Sequence, residues 1–237
     1  MPYRAPRGQR QPRADERPWV FAGAVSLAAL AGYVNVVVLG FFQVPVSHMS
    51  GAVSRLGMDL AVGNLTDLLV VLSIVGGFLL GAILSGVIIG GRKLVPGRRY
   101  GVALLIEGAL LALSVLLLAW GSSLGLSLAA MACGVQNAMA SSYYGLVIRT
   151  THVTGIVTDI GVMLGHWIRH RRIPWWKLQL LLSILGGFFA GGILGALAHR
   201  WLGIPALGLA SAGSAAAGLC YYAWAHSLVR RRRTGDR

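Results

Sequence analysis

Six apolar runs decide what this chain can fold into. Residues 19 to 42, 68 to 90, 101 to 120, 125 to 148, 178 to 198 and 204 to 226 each approach or exceed the roughly 20 residues a helix needs to cross a hydrocarbon layer ~30 Å thick. Charged residues make up 12% of the 237, about half the ~25% usual in soluble domains. In hydrocarbon every backbone polar group must be satisfied internally, so the runs read as helices. A single membrane domain over 19 to 226 is expected, with basic tails at 1 to 18 and 227 to 237. The first tail, alternating Arg with Pro2, Pro6, Pro12 and Pro18, is expected to be disordered, since such a segment buries too little to order itself.

A net charge of +14 would also suit a nucleic-acid partner, so placement must decide. The basic residues fall in four groups: Arg4 to Arg17; Arg92, Lys93, Arg98 and Arg99; Arg149, Arg169, Arg171, Arg172 and Lys177; and Arg230 to Arg233 with Arg237. Arg55 and Arg200 alone fall in the alternate connections. That bias is the positive-inside pattern of a multi-pass protein of the bacterial inner membrane with both termini cytoplasmic. The partners it implies are the bilayer itself and anionic lipids at the cytoplasmic face, not nucleic acid. Tryptophans Trp19, Trp120, Trp167, Trp175, Trp176, Trp201 and Trp224 sit at or near the ends of the same runs, as amphipathic rings at headgroup level should. The first run is longer than the 7 to 15 residues of a signal-peptide core, so it reads as a retained span. Cys133 and Cys220 fall inside spans as packing residues, with no disulfide or metal-ligand spacing.

One polar pattern is written twice. Ser47-His48-Met-Ser50-Gly51-Ala-Val-Ser54-Arg55-Leu-Gly57 returns as Thr151-His152-Val-Thr154-Gly155-Ile-Val-Thr158-Asp159-Ile-Gly161. The segments 47 to 63 and 151 to 166 are too short and polar for full spans. At helical spacing Ala52, Val53, Leu56, Leu60 and Ala61 share a face, as do Ile156, Val157, Ile160 and Leu164, leaving Arg55 and Asp59 elsewhere. Each is expected to be an amphipathic helix, capped by Ser47 or Ser50 and by Thr151 or Thr154. Such a helix either lies on the membrane surface or is a broken, re-entrant element lining a polar cavity.

The spans repeat as well. Gly32-Tyr33-Val34-Asn35 corresponds to Gly134-Val135-Gln136-Asn137, and Ser73-Ile-Val-Gly-Gly77-Phe-Leu-Leu-Gly81 to Ser183-Ile-Leu-Gly-Gly187-Phe-Phe-Ala-Gly191. The second pair are small-xxx-small ladders that let helix backbones approach, and they would also permit a homo-oligomer. Two halves, 19 to 120 and 125 to 226, therefore hold three spans each. Three is odd, so the second half must be inserted upside down. The fold expected is an all-α membrane protein of six transmembrane helices in two inverted three-helix repeats, each with a short polar broken or re-entrant helix. Secondary transporters use this build, with interrupted helices meeting at the midplane.

Candidate solute- or ion-binding residues follow: Asn35, Ser47, His48, Ser50, Gly51, Arg55, Glu107, Gln136, Asn137, Thr151, His152, Thr154, Gly155, Thr158 and Asp159. Facing helix amino termini would offer free N–H groups to an anion. Arg55 aligns with Asp159 in the other half, which makes an ion pair across the repeats a candidate gate. His48 and His152 are groups able to titrate near neutrality. Glu107 is the lone acidic residue in the middle of a span, and such residues are costly enough to mark function. Each has a plainer role available: Asn and His as interhelical hydrogen bonders, Glu107 as a structural partner of an Arg or as a protonated hydrogen-bond donor.

Those blocks, with Val147-Ile-Arg149-Thr-Thr151-His152-Val-Thr154-Gly155 and Thr158-Asp159-Ile-Gly161, resemble the YoaK-like family of bacterial polytopic membrane proteins, a domain of unknown function, over about 25 to 225. The resemblance implies class and location but no substrate. Asn35 and Ala52 stand where that family tends to have Asp and Asn, which removes a carboxylate from the first half. The function expected is a secondary transporter or permease of a small solute, an anion among the candidates. The competing reading is a non-transporting membrane scaffold or assembly factor. No His-Glu-x-x-His, Gly-x-Ser-x-Gly or phosphate-loop pattern is present, so neither an enzyme nor a cofactor or metal site is expected.

Overall fold

A computed structural model describes residues 17–42, 46–90, 98–141, 150–171 and 173–234. Among them the chain is all helical: α1 (Arg17–Phe42), α2 (Met49–Ala61), α3 (Leu65–Ile89), α4 (Arg98–Ala119), α5 (Leu124–Ser141), α6 (Val153–His170), α7 (Trp175–Leu202) and α8 (Ala206–Thr234). Four stretches are long and apolar enough to cross a membrane, Pro18–Phe41, Leu65–Ile89, Arg98–Ala119 and Trp175–Leu202. The other two expected spans differ. The fourth run, 125 to 148, appears as the shorter apolar helix α5, and 142–149 lie outside the described residues. The sixth is rich in Ala, Gly and Ser, which lowers its hydropathy; α8 also continues through 227–234, expected to be tail and holding Arg230 to Arg233. Of the expected tails, Arg17 and Pro18 open α1, while 1–16, 235–237 and also Arg149 lie outside the described residues.

Glycines set the helix pairs. A Cβ on Gly187, Gly191 or Gly195 of α7 would strike the carbonyls of Val25, Ala29 and Tyr33 of α1, in that order along both chains. On α3, Gly77 and Gly81 meet the carbonyls of Ser127 and Met131 of α5 in the same way. Each pair therefore runs parallel at backbone contact, which only a residue without a side chain allows. The reciprocal approaches match too: Gly32 of α1 to the Phe188 carbonyl, and Gly134 of α5 to the Phe78 carbonyl. Exchanging the first half for the second thus turns α1·α7 into α5·α3.

Helices α4 and α8 cross antiparallel, with Gly101 opposite Gly218 and Gly108 opposite Ser211. This register puts Glu107 level with Ala212, its own counterpart in the repeat. A short turn at 120–123 joins α4 to α5, and Ser114 Oγ donates to the Gly125 carbonyl at 2.7 Å. The corresponding α8 and α1 pack less closely, joined where Tyr33 Oη donates to the Ala206 carbonyl at 2.9 Å.

Candidate functional site

The two polar segments begin alike in three dimensions. Ser47 Oγ donates to Asn35 Oδ1 at 2.7 Å, and Thr151 Oγ1 donates to Asn137 Oδ1 at 3.2 Å. Ser47 and Thr151 are buried. Because Asn35 lies about 10 Å short of the end of α1 at 1.5 Å per residue, the chain has turned back into the bundle before α2 starts. Ala52 then buries in a cluster with Val71 and Ile74 of α3, and Ile156 of α6 with Leu180 and Ile184 of α7.

Expected caps differ from those found. His48 and His152 occupy the N-cap positions of α2 and α6, and neither side chain caps a backbone N–H. The hydroxyls expected to cap are engaged elsewhere: Ser47 and Thr151 on the asparagines, and Ser50 Oγ at 3.2 Å from His48 Nε2. Ser54 and Thr158 turn back onto the carbonyls of Ser50 and Thr154. The His152 ring covers Gly155, where a Cβ would collide with it. Both histidines are exposed, as are Ser50 and Thr154, while Gly51 is half-buried.

The two elbows do not meet. α2 packs on α3 and α6 on α7, so the expectation of facing amino termini at one shared site is not what the structure shows. Nor does Arg55 pair with Asp159. Its guanidinium lies 3.6 Å from Asp59 and 3.5 Å from Asp67, while Asp159 is exposed on α6. The faces are rotated as well. Asp59 is buried, whereas Val53 and Leu60 are exposed, because in lipid an apolar side chain gains nothing extra from facing protein. Asp67 was the missed partner. Its signal is Asn64-x-x-Asp67, in which the Asn64 side chain accepts from the Asp67 N–H and donates to its carboxylate, fixing the start of α3.

Between the halves lies a buried polar layer. Gln136 Nε2 donates to the Leu27 carbonyl at 2.7 Å, tying α5 to α1. Glu107 is 1% exposed and faces Ser214 of α8, with Cys133 of α5 alongside. Neither Glu107 Oε2 nor Ser214 Oγ completes a hydrogen bond among the described residues. Leaving such groups unmet costs about 1–3 kcal/mol each.

Two cavities border this layer. One of about 480 Å³ is lined by Gly23, Tyr33, Tyr100, Leu104, Met139 and Gly213, among others, and lies between α1 and α8. Along α8 it runs from Tyr221 to Leu209, past the level of Ser214. The second, of about 290 Å³, is lined by Arg55, Asp67, Leu118, Ser122 and Leu126. Along α4 the first reaches Leu104 and the second reaches Leu118, with Glu107, Leu111 and Ser114 buried between them. Along α5 the same order runs from Met139 through Cys133 and Ala129 to Leu126.

Comparison with known proteins agrees with the membrane class. A UPF0700 transmembrane protein of Rhizobium meliloti (strain 1021) is 37% identical over 76 residues, a match covering 32% of this chain and 33% of that protein. The chain thus spans about a third of the length of the curated relative it matches. No solved structure matches. The model of the family described as "Protein of unknown function (DUF1275)" matches residues 23–220, nearly the whole helical core, and the chain belongs to this family of membrane proteins.

Proposed function

We propose that the protein is a secondary transporter of a small solute in the bacterial inner membrane, built from six spans in two inverted repeats with both termini cytoplasmic. The observation that carries this reading is the pair of cavities approaching one buried layer from opposite ends of α4 and α5. Alternating access needs that arrangement: two vestibules, a closed barrier, and elements able to open either way. The inverted reading is supported by helix directions, since α1·α7 and α3·α5 run parallel and α4·α8 antiparallel, as six alternating spans require. The elbows support it too, because the Asn35–Ser47 and Asn137–Thr151 bonds recur at matching positions of the two halves.

The cavity beside α1 and α8 is the solute vestibule in the state seen here. Its walls are nearly all apolar, with Tyr33 Oη engaged on the Ala206 carbonyl at 2.9 Å. Around Arg55 the charge is balanced by Asp67 and Asp59, so that end does not single out an anion. Anionic lipid contacts fit the exposed end of α6, where Arg169, His170 and Arg171 follow one another.

A cavity-filling substitution tests the reading. Gly213 lines the first cavity, and a Cβ there meets nothing within 4 Å. Gly213→Leu fills the vestibule without strain, while Gly208→Leu, equally open but outside it, is the control. An untargeted comparison of solutes in cells with and without the protein is expected to show a difference that Gly213→Leu abolishes and Gly208→Leu keeps. The alternative, a scaffold, is favoured by the failure of α2 and α6 to meet; unchanged solutes in every strain would select it.

A further inference from the structure

Glu107 is a buried carboxyl group that solute binding alone does not explain. It stands at the crossing of α4 and α8, between the two cavities along α4, with one oxygen lacking a partner among the described residues. An ionised carboxylate at mid-span costs at least ~2.5 kcal/mol on insertion scales, and more where nothing neutralises it. The groups around it do not. From α8 it meets the Ser214 hydroxyl and from α5 the Cys133 thiol. Along α3 the only charged residue is Asp67, at its first turn and committed to Arg55. The interiors of α1, α5 and α8 contain none at all. In this closed arrangement the site accommodates the neutral acid.

We propose that Glu107 is the proton-binding site of the barrier layer, so that the ion coupled to solute movement is the proton. The inference rests on the transport reading for the coupling and on the geometry alone for the site. With the layer shut, the carboxyl group keeps its proton. When either cavity extends to Glu107, water enters, the O–H bond breaks, the proton passes to water and the carboxylate is left hydrated. Return to the closed state requires a proton back from whichever side is open. Ala212, the counterpart of Glu107 in the repeat, carries no second carboxylate. A single proton is therefore bound at the centre, without the repulsion two facing carboxylates would create.

Infrared spectroscopy of the protein reconstituted in lipid tests the site directly. The wild type is expected to show a protonated-carboxyl C=O band at neutral pH that Glu107→Gln removes. Asp59→Asn, which alters the other buried carboxylate, one already paired with Arg55, is expected to leave that band in place. No such band, or one unchanged by Glu107→Gln, overturns the proposal. Should Glu107→Gln fail to fold, Glu107→Asp decides, because a shorter carboxyl group at the same position must shift the band in frequency rather than leave it unchanged. Coupling is read separately. The cellular solute difference should disappear with a protonophore and with Glu107→Gln; if it survives both, proton coupling is overturned while transport stands. If the wild type shows no solute difference at all, the transport reading fails and the infrared result alone decides the proton site.

Discussion

The Ser47 hydroxyl donates to the Asn35 side-chain oxygen at 2.7 Å, tying the start of α2 to the interior of α1. Thr151 and Asn137 repeat the bond in the second half. Interhelical bonds of this kind contribute ~0.6–2 kcal/mol. Asn35→Ala and Ser47→Ala are each expected to lower the unfolding midpoint in detergent, and the double variant to lose less than the sum, since both remove one interaction. Strict additivity would mean the two side chains act independently.

Glycine positions give a sharper contrast. Gly81 and Gly191 face backbone carbonyls of Met131 and Ala29, whereas Gly76 and Gly186 have nothing within 4 Å. Gly81→Leu and Gly191→Leu are expected to abolish a monodisperse peak on size exclusion. Gly76→Leu and Gly186→Leu should leave it intact. The outcome must be the same in both members of each pair if the two interfaces are equivalent.

The ion pairs around Arg55 predict an order of effects. Asp67 is half-exposed, so Asp67→Asn should cost only about 0.2–1 kcal/mol. Arg55→Met should cost more, because it leaves Asp59, nearly buried, without its cation. Reversing Arg55 with Asp67 should recover part of the loss on thermal unfolding. Reversing Arg55 with Asp159 should recover none.

Much of this was legible in the sequence, and physics explains which part. Long apolar runs and glycine ladders specify helices and close pairs regardless of context, so α1, α3, α4 and α7 fall where the runs lie. The repeat carried the elbows, because Asn and hydroxyl recur at matched spacing. Partners were harder to read. Arg55 aligns with Asp159 in the repeat, yet helical proximity gives it Asp59 and the α2–α3 turn gives it Asp67. Periodicity also misplaced the inner face of α2, since an apolar stripe cannot distinguish lipid from protein. Nor could any local pattern show that Glu107 falls at the centre of the α4·α8 crossing, which depends on glycines in both halves.

Cysteine reactivity separates buried from lipid-facing positions. Cys220 is exposed and Cys133 buried. A membrane-permeant maleimide should label Cys220 and spare Cys133 in the folded protein, and label both after denaturation. Equal labelling in the folded state would place Cys133 outside the sealed layer.

The most direct measurement is the sidedness of three positions on that layer, in a background with Cys133 and Cys220 replaced. Leu104 borders the first cavity, Leu126 the second, and Leu111 is fully buried between them. With an impermeant thiol reagent applied to either face of sealed vesicles, Leu104→Cys should react from the cytoplasmic face and Leu126→Cys from the opposite one. Leu111→Cys should react slowly from both. Labelling of Leu104→Cys and Leu126→Cys from the same face, or of Leu111→Cys from only one, would contradict a barrier that opens alternately to the two sides.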